Sequence, residues 1–235
     1  QAVNLVLQVA GEMRGGEMAA LREVPFAQYY GSVDSTSLFV LLAGLYVERT
    51  GDADLAHAQV PFIEGHAVPD GAEDVYETPR VSEDTASLYE HAARALDCSL
   101  ATGQHGLPLI GTGDWNDGMN RVGHEGRGES VWLAWFLCAT IDAMVTLATD
   151  HGDHDHGRVQ RWRDARAGFA RALEQHAWDG QWYRRATFDD GSWLGSSANA
   201  ECRIDLIAQA WAVMSGVGPA PGRSEAGPAP GDTKW

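Results

Sequence analysis

The spacing of hydrophobic and polar residues along the chain predicts six helices. In each of six segments apolar residues recur every three or four positions, which places them on one face of a helix. The segments are residues 2–14, 35–50, 82–102, 129–149, 158–177 and 203–215. Segment 129–149 is apolar on nearly all sides, so we expect a helix that is buried among the others.

Two of these segments open with residues that commonly cap a helix. Segment 35–50 begins with hydroxyl side chains and stops at Gly51. Segment 82–102 begins with Ser82, followed by two acidic residues that the positive end of the helix dipole favours. The sequence therefore predicts helix starts near residues 35 and 82.

Long polar loops separate the predicted helices, at residues 51–81, 103–128 and 178–202. Loops of this length are uncommon in a compact domain and are usually functional. Within the third, residues 182–194 alternate on both sides of an Asp-Gly pair, which predicts a small β-hairpin. Helices joined alternately by short and long connections predict an all-α fold of antiparallel helical hairpins.

We expect residues 1–215 to form one domain, followed by a disordered tail at 216–235. The full length of 235 residues is at the upper end for one domain, and 44% hydrophobic residues are enough for a packed core. The tail contains Gly-Pro-Ala-Pro-Gly twice and has little to bury.

The charge of the chain narrows the possible partners. Its 33 acidic and 17 basic side chains give a formal net charge of −16. Such a field repels phosphate backbones and anionic membrane surfaces, so we expect neither nucleic acid nor membrane as a partner. A neutral substrate such as a sugar suits it.

Two further features bear on the compartment. Three widely spaced cysteines, Cys98, Cys138 and Cys202, predict reduced, buried thiols rather than disulfides or a zinc site. No charged segment followed by an apolar one opens the sequence, and the apolar run 131–141 is too short to span a bilayer. We therefore expect a cytoplasmic protein.

The densest group of chemically capable side chains lies in residues 111–121, Gly-Thr-Gly-Asp-Trp-Asn-Asp-Gly-Met-Asn-Arg. Carboxylic acids supply the proton when an acetal is cleaved, an indole can stack on a pyranose ring, and amides can bond hydroxyl groups. The alternative is that either aspartate only caps a helix or closes a turn. The candidate residues are Asp114, Trp115, Asn116, Asp117 and Asn120.

Residues 113–120, continued through 126–133, resemble glycoside hydrolase family 94, most closely the phosphorylase-like domain of cyclic β-1,2-glucan synthases. The resemblance runs from about residue 60 to 216. Collinear matches lie at residues 81–91, 105–109, 178–184 and 202–205.

This resemblance implies an (α/α)6 toroid whose long loops form a sugar pocket, of which six helices are a part. It implies that Asp117 is the general acid, that Trp115 lies in the sugar site and that Gln209 faces the phosphate side. The family cleaves β-glucosidic bonds with inversion, with inorganic phosphate as co-substrate and no cofactor. We expect Trp115 and Asp114 to raise the pKa of Asp117.

The first part of the chain resembles another family. Residues 17–26 and 29–36 look like the amylo-1,6-glucosidase side of glycogen-debranching-like proteins, over about residues 1–55. That resemblance implies that Tyr30 and Asp34 face the sugar site.

Hydrolysis instead of phosphorolysis would require a carboxylate that activates water. Glu201, Asp205 and Asp34 are the candidates, and for each the alternative is a helix cap or an ion pair with Arg184, Arg185 or Arg203. For Gln209 the alternative is a buried polar contact of its helix.

The remaining hypotheses concern histidines and assembly. His151, His154 and His156 could bind zinc or nickel, or lie in a solvated loop. His105 could orient the candidate loop or simply occupy a turn. A partial toroid leaves apolar faces open, so we expect a homo-oligomer. The leading hypothesis is an enzyme that cleaves β-glucosides; the alternative is a sugar-binding or scaffold fragment.

Overall fold

The computed structural model describes residues 28–30, 33–66, 74–76, 80–151 and 156–218. The predicted helix 2–14 and the tail from residue 219 onward lie outside the described residues. So do the side chains of 28–30, 33–36 and 74–76 and those of Asp117, Asp150 and His156.

The predicted mostly helical fold is confirmed. The helices of the described part are α1 (Val33–Thr50), α2 (Asp54–His57), α3 (Leu88–Cys98), α4 (Val131–His151), α5 (His156–Ala172) and α6 (Leu206–Met214). A 3-10 turn covers Asp117–Met119, and a π-helical segment, Leu173–Ala177, extends α5.

Helix α4 is the centre of the core. It packs against α1, α3, α5 and α6, and Trp135, Leu137 and Ile141 are among its fully buried side chains. Its segment Val131–Thr149 is apolar and long enough to cross a membrane, which the shorter run 131–141 did not suggest. Because 72% of that segment is buried inside the protein, it serves here as a core helix.

The strands form small antiparallel pairs. They are β1 (Gln28–Tyr30), β2 (Gln59–Glu64), β3 (Asp74–Tyr76), β4 (Arg80–Ser87), β5 (Ala186–Thr187) and β6 (Trp193–Leu194). Strand β1 pairs with β3, β2 with β4 and β5 with β6, and none of these pairings in the described residues is parallel. The predicted hairpin within 182–194 is confirmed as β5–β6.

The predicted helix start at Ser82 is wrong. Residues 80–87 form β4, which pairs with β2, and the Ser82 hydroxyl donates to Glu64 on that neighbouring strand at 2.8 Å. Helix α3 begins six residues after Ser82, and Ser87 caps it by accepting a hydrogen bond from the Glu90 N–H at 3.1 Å. Segment 51–81 is consequently not only a loop, because it contains a short helix and strands.

Other helix ends follow the sequence closely. Gly51 ends α1 with a positive φ of 72°, and its N–H donates to the Val47 carbonyl at 2.8 Å. At the other end of the chain, Asp205 caps α6 by accepting from the Ile207 N–H at 2.9 Å. Local signals were sufficient at both sites.

Candidate functional site

The motif at 111–121 forms a loop, and the buried side chain of Asp114 anchors this loop to the rest of the protein. The Asp114 side chain is 1% exposed, and its Oδ2 accepts from the Ser130 hydroxyl at 2.8 Å. Its Oδ1 accepts from Nη2 of Arg185 at 2.7 Å and from the Asn116 N–H at 3.2 Å. This carboxylate is therefore buried in the protein, and Arg185 compensates its charge.

Asn116 fixes the next part of the loop. Its backbone is extended, and its Oδ1 accepts from the Gly118 N–H at 3.0 Å, which caps the turn Asp117–Met119. Met119, at the end of the turn, is buried with Ile110 and Val122 in a small apolar cluster. The turn is thus held at both ends, and Asp117 is its first residue.

Trp115 lies between these two fixed points and remains 54% exposed. An indole face that stays in solvent can stack on a sugar ring. Asn120 follows the turn and is half-buried. The loop thus presents Trp115 outward next to the position of Asp117.

The residues near α6 have mainly structural contacts. The half-buried Gln209 side chain accepts from the Tyr183 N–H at 2.9 Å and donates to the Tyr183 carbonyl at 2.7 Å. Asp205 both caps α6 and accepts from Nε of Arg185 at 3.1 Å, so its alternative as a cap and ion-pair partner is confirmed. Glu201 is exposed, directly before Cys202, whose φ of 50° is positive.

The remaining candidates are only partly described. Tyr30 belongs to β1 and Asp34 to α1, but their side chains are outside the description. No group of three or more potential metal ligands is found among the described residues, which exclude His154 and the His156 side chain. The His151 ring stacks on Tyr89, with ring centroids 4.3 Å apart.

Three residues that hold the site in place were not predicted to do so from the sequence. Arg185 appeared only as an ion-pair partner, and Glu129 and Asp189 were not singled out. Asp189 accepts from the main-chain N–H groups of residues 125, 127 and 128 at 2.9–3.0 Å, which fixes the stretch that leads from the loop to α4. Burial alone would raise the pKa of Asp189, but these bonds outweigh it and lower the pKa.

The thiols occupy two kinds of environment. Cys98 and Cys202 are exposed and Cys138 is buried, and all three are free. Burial raises the pKa of the Cys138 thiol to about 12, so this sulfur stays protonated and unreactive. The three thiols are free, as predicted, but the prediction that they are buried is right only for Cys138 and wrong for Cys98 and Cys202.

The chain is similar to proteins that are named as a glucan synthase or as phosphorylases. The chain is 48% identical over 174 residues to the cyclic beta-(1,2)-glucan synthase NdvB of Rhizobium meliloti, covering 74% of this chain and 6% of the relative. It is 33% identical over 172 residues to the 3-O-beta-D-glucopyranosyl-beta-D-glucuronide phosphorylase of Paenibacillus borealis, covering 73% and 20%. The cellobionic acid phosphorylase of Neurospora crassa is 28% identical over 205 residues, covering 87% and 23%. The chain therefore spans less than a quarter of the length of each of these relatives.

A family match also covers part of the N-terminal segment 1–55. The model for the catalytic domain of the glycosyl hydrolase 94 superfamily matches residues 37–226. That match begins inside segment 1–55, and nothing in these comparisons supports the resemblance of the segment to debranching-like proteins. Because the match covers well over half of the sequence, this chain belongs to the glycosyl hydrolase 94 superfamily and contains part of its catalytic domain.

Proposed function

We propose that this chain is part of a carbohydrate-active enzyme that cleaves β-glucosidic bonds by phosphorolysis with inversion, with Asp117 as the general acid. The observation that carries the proposal is the family match over residues 37–226, which includes the whole loop 111–121. Among the matching relatives, two of the three described above are named phosphorylases.

The proposed reaction needs one carboxylic acid and one phosphate ion. An oxygen of phosphate attacks the anomeric carbon as the glycosidic bond breaks, and Asp117 gives its proton to the departing oxygen. Attack from the opposite face converts a β-glucoside into α-glucose 1-phosphate. Since phosphate is itself the nucleophile, no second carboxylate is needed to activate water and no cofactor takes part.

The fixed conformation of the loop around Asp117 supports this proposal. Asp114 and Asn116 fix the main chain on one side of Asp117, and buried Met119 fixes it on the other. A general acid must be held within hydrogen-bond reach of the oxygen it protonates, so an anchored turn suits the role. Trp115 would supply the stacking face for the sugar, and Asn120 a polar contact to its hydroxyl groups.

The other proposed contacts are assigned by their surroundings. Glu201 is exposed and is free to approach a ligand, whereas Gln209 is held by the Tyr183 main chain. Gln209 would therefore shape the phosphate side rather than move during binding. Tyr30 and Asp34 remain proposed sugar contacts.

The experiment is to incubate the purified chain with sophorose or cellobiose, with and without inorganic phosphate, and to identify products by NMR. Phosphorolysis predicts equal amounts of α-glucose 1-phosphate and a second sugar, only when phosphate is present. Glucose released at the same rate without phosphate would show hydrolysis and would overturn the choice of nucleophile. Asp84→Asn, at an exposed position on β4, is a matched control that should leave turnover unchanged.

A second candidate function is a sugar-binding or scaffold fragment of a larger glucan-processing enzyme. The observation that favours it is length, since the chain spans only 6% of the synthase and 20–23% of the two phosphorylases. This alternative predicts disaccharide binding in calorimetry without product, unaffected by Asp117→Asn. Binding and turnover in the same preparation would exclude it.

A further inference from the structure

We propose that Arg185 and Asp114 are positioning residues: their buried ion pair holds the loop 111–120 in the orientation in which Asp117 can protonate the departing oxygen. The proposal rests on the proposed role of Asp117. Neither side chain touches a substrate in it, and both act through the main chain of the loop.

Arg185 connects three separate elements of the protein. Its guanidinium is 1% exposed, and each of its three nitrogens donates in a different direction. Nη2 bonds Asp114 in the candidate loop, Nη1 bonds the Ser130 hydroxyl before α4 at 3.2 Å, and Nε bonds the α6 cap Asp205. One side chain therefore fixes the loop relative to both helices.

The guanidinium starts from an equally fixed backbone. The Arg185 N–H donates to the Leu194 carbonyl at 2.8 Å, and its carbonyl accepts from the Val131 N–H at 3.1 Å. Gly195 allows this close approach, because a Cβ at that position would lie 2.7 Å from the Arg185 nitrogen. The hairpin thus gives the side chain little freedom to shift.

Asp114 connects Arg185 to the turn that begins at Asp117. Its Oδ1 accepts from both Arg185 and the Asn116 N–H, and Asn116 in turn caps the turn that begins at Asp117. The path from guanidinium to Asp117 therefore consists of a side-chain ion pair, one main-chain hydrogen bond and one cap. Loss of the ion pair frees the first step in this path.

The chemistry of the pair requires arginine in particular. A planar guanidinium donates to several acceptors in fixed directions, whereas a lysine ammonium is a single point charge on a flexible stem. Arg185→Lys keeps the charge but cannot reproduce three bonds to three elements. Asp114→Asn is the milder change, since it keeps the shape of the side chain and Asp205 still compensates the charge of Arg185.

The first measurement is hydrogen exchange of the main-chain amides of Asn116, Gly118 and Met119 in the full chain, which requires no activity. We expect both variants to accelerate exchange of these amides by at least about tenfold, while α4 and α5 remain protected. Arg184→Lys is the matched control, because Arg184 is the adjacent residue and bonds Asp179 and the His176 carbonyl instead. It should leave the exchange of the loop unchanged.

The second measurement compares a disaccharide with a nitrophenyl β-glucoside, whose departing group needs little protonation. A misplaced acid should lower kcat for the disaccharide by about 10²-fold, with KM within about threefold, and should lower the nitrophenyl rate much less. Unchanged loop exchange, or equal losses with both substrates, would overturn the proposal. If the unaltered chain has no turnover at all, the proposed function fails, while the exchange measurement still decides whether the pair holds the loop.

Discussion

The buried carboxylate of Glu129 accepts a hydrogen bond from the main-chain N–H of His105 at 3.0 Å, and it lies 2.5 Å from Nδ1 of the His105 ring. It also accepts from the Leu107 N–H at 3.0 Å. One side chain at the start of α4 thus holds the turn 103–107. His105 belongs to this turn and is itself held by Glu129.

Removal of this carboxylate should destabilise the protein markedly. Glu129→Ala leaves the donors of His105 and Leu107 without their buried acceptor, so we expect the free energy of unfolding to fall by about 2–4 kcal/mol. Urea unfolding followed by circular dichroism measures it. Glu125→Ala is the control: this exposed carboxylate pairs with exposed Arg127, so its loss should cost less than about 1 kcal/mol. Equal losses in the two variants would contradict the account.

Asp179 should make stability depend on pH in the acid range. Burial alone would raise the pKa of its carboxyl group, but hydrogen bonds from Ser197 and Arg184 outweigh burial and lower the pKa to about 2. A carboxylate whose pKa is lower in the folded than in the unfolded state stabilises the protein at neutral pH. This contribution is complete above the unfolded value near 3.9 and is lost as pH falls towards 2.

The test is Asp179→Asn, compared with the wild type from pH 7 down to pH 3 by urea unfolding. We expect the variant to be less stable by about 2 kcal/mol at pH 7, with the difference shrinking below about pH 4. Asp84→Asn, on the exposed side of β4, should show no such dependence. A difference that grows on acidification would mean that the sign of the Asp179 contribution is wrong.

An apolar stripe on α1 predicts self-association of the chain. Leu38, Leu42 and Leu45 are 46%, 46% and 36% exposed and recur at helical spacing on one face. Neighbouring exposed leucines of this kind commonly mark an interaction surface. We expect a dimer at tens of micromolar in light scattering and a monomer for Leu42→Lys. A monomeric wild-type chain at that concentration would contradict this prediction.

The sequence predicted those parts of the structure that local signals determine. The stop of α1 at Gly51 and the hairpin around Gly191 both follow from residues within a few positions, and both are confirmed. The strand β4 was missed because Ser82 with its acidic neighbours also fits a helix start. Only the pairing of β4 with β2, some twenty residues earlier, distinguishes the two structures.

The candidate loop shows the same division. Its residues could be identified from the motif, because the chemistry is concentrated in a few consecutive positions. The partner of Asp114 could not, since Arg185 lies 71 residues away along the chain and no periodicity connects the two. The sequence therefore indicated which candidate residues the loop contains, whereas only the fold shows which residue pairs with Asp114.

Whether Asp117 is the general acid is tested by Asp117→Asn, assayed with a disaccharide and with a nitrophenyl β-glucoside in the presence of phosphate. Removal of a general acid typically costs about 10²–10⁴-fold in rate, and the loss should be far smaller for the nitrophenyl substrate. We expect this difference, with α-glucose 1-phosphate as the product. Equal losses with both substrates, or no loss with either, would contradict the assignment of Asp117 as the acid.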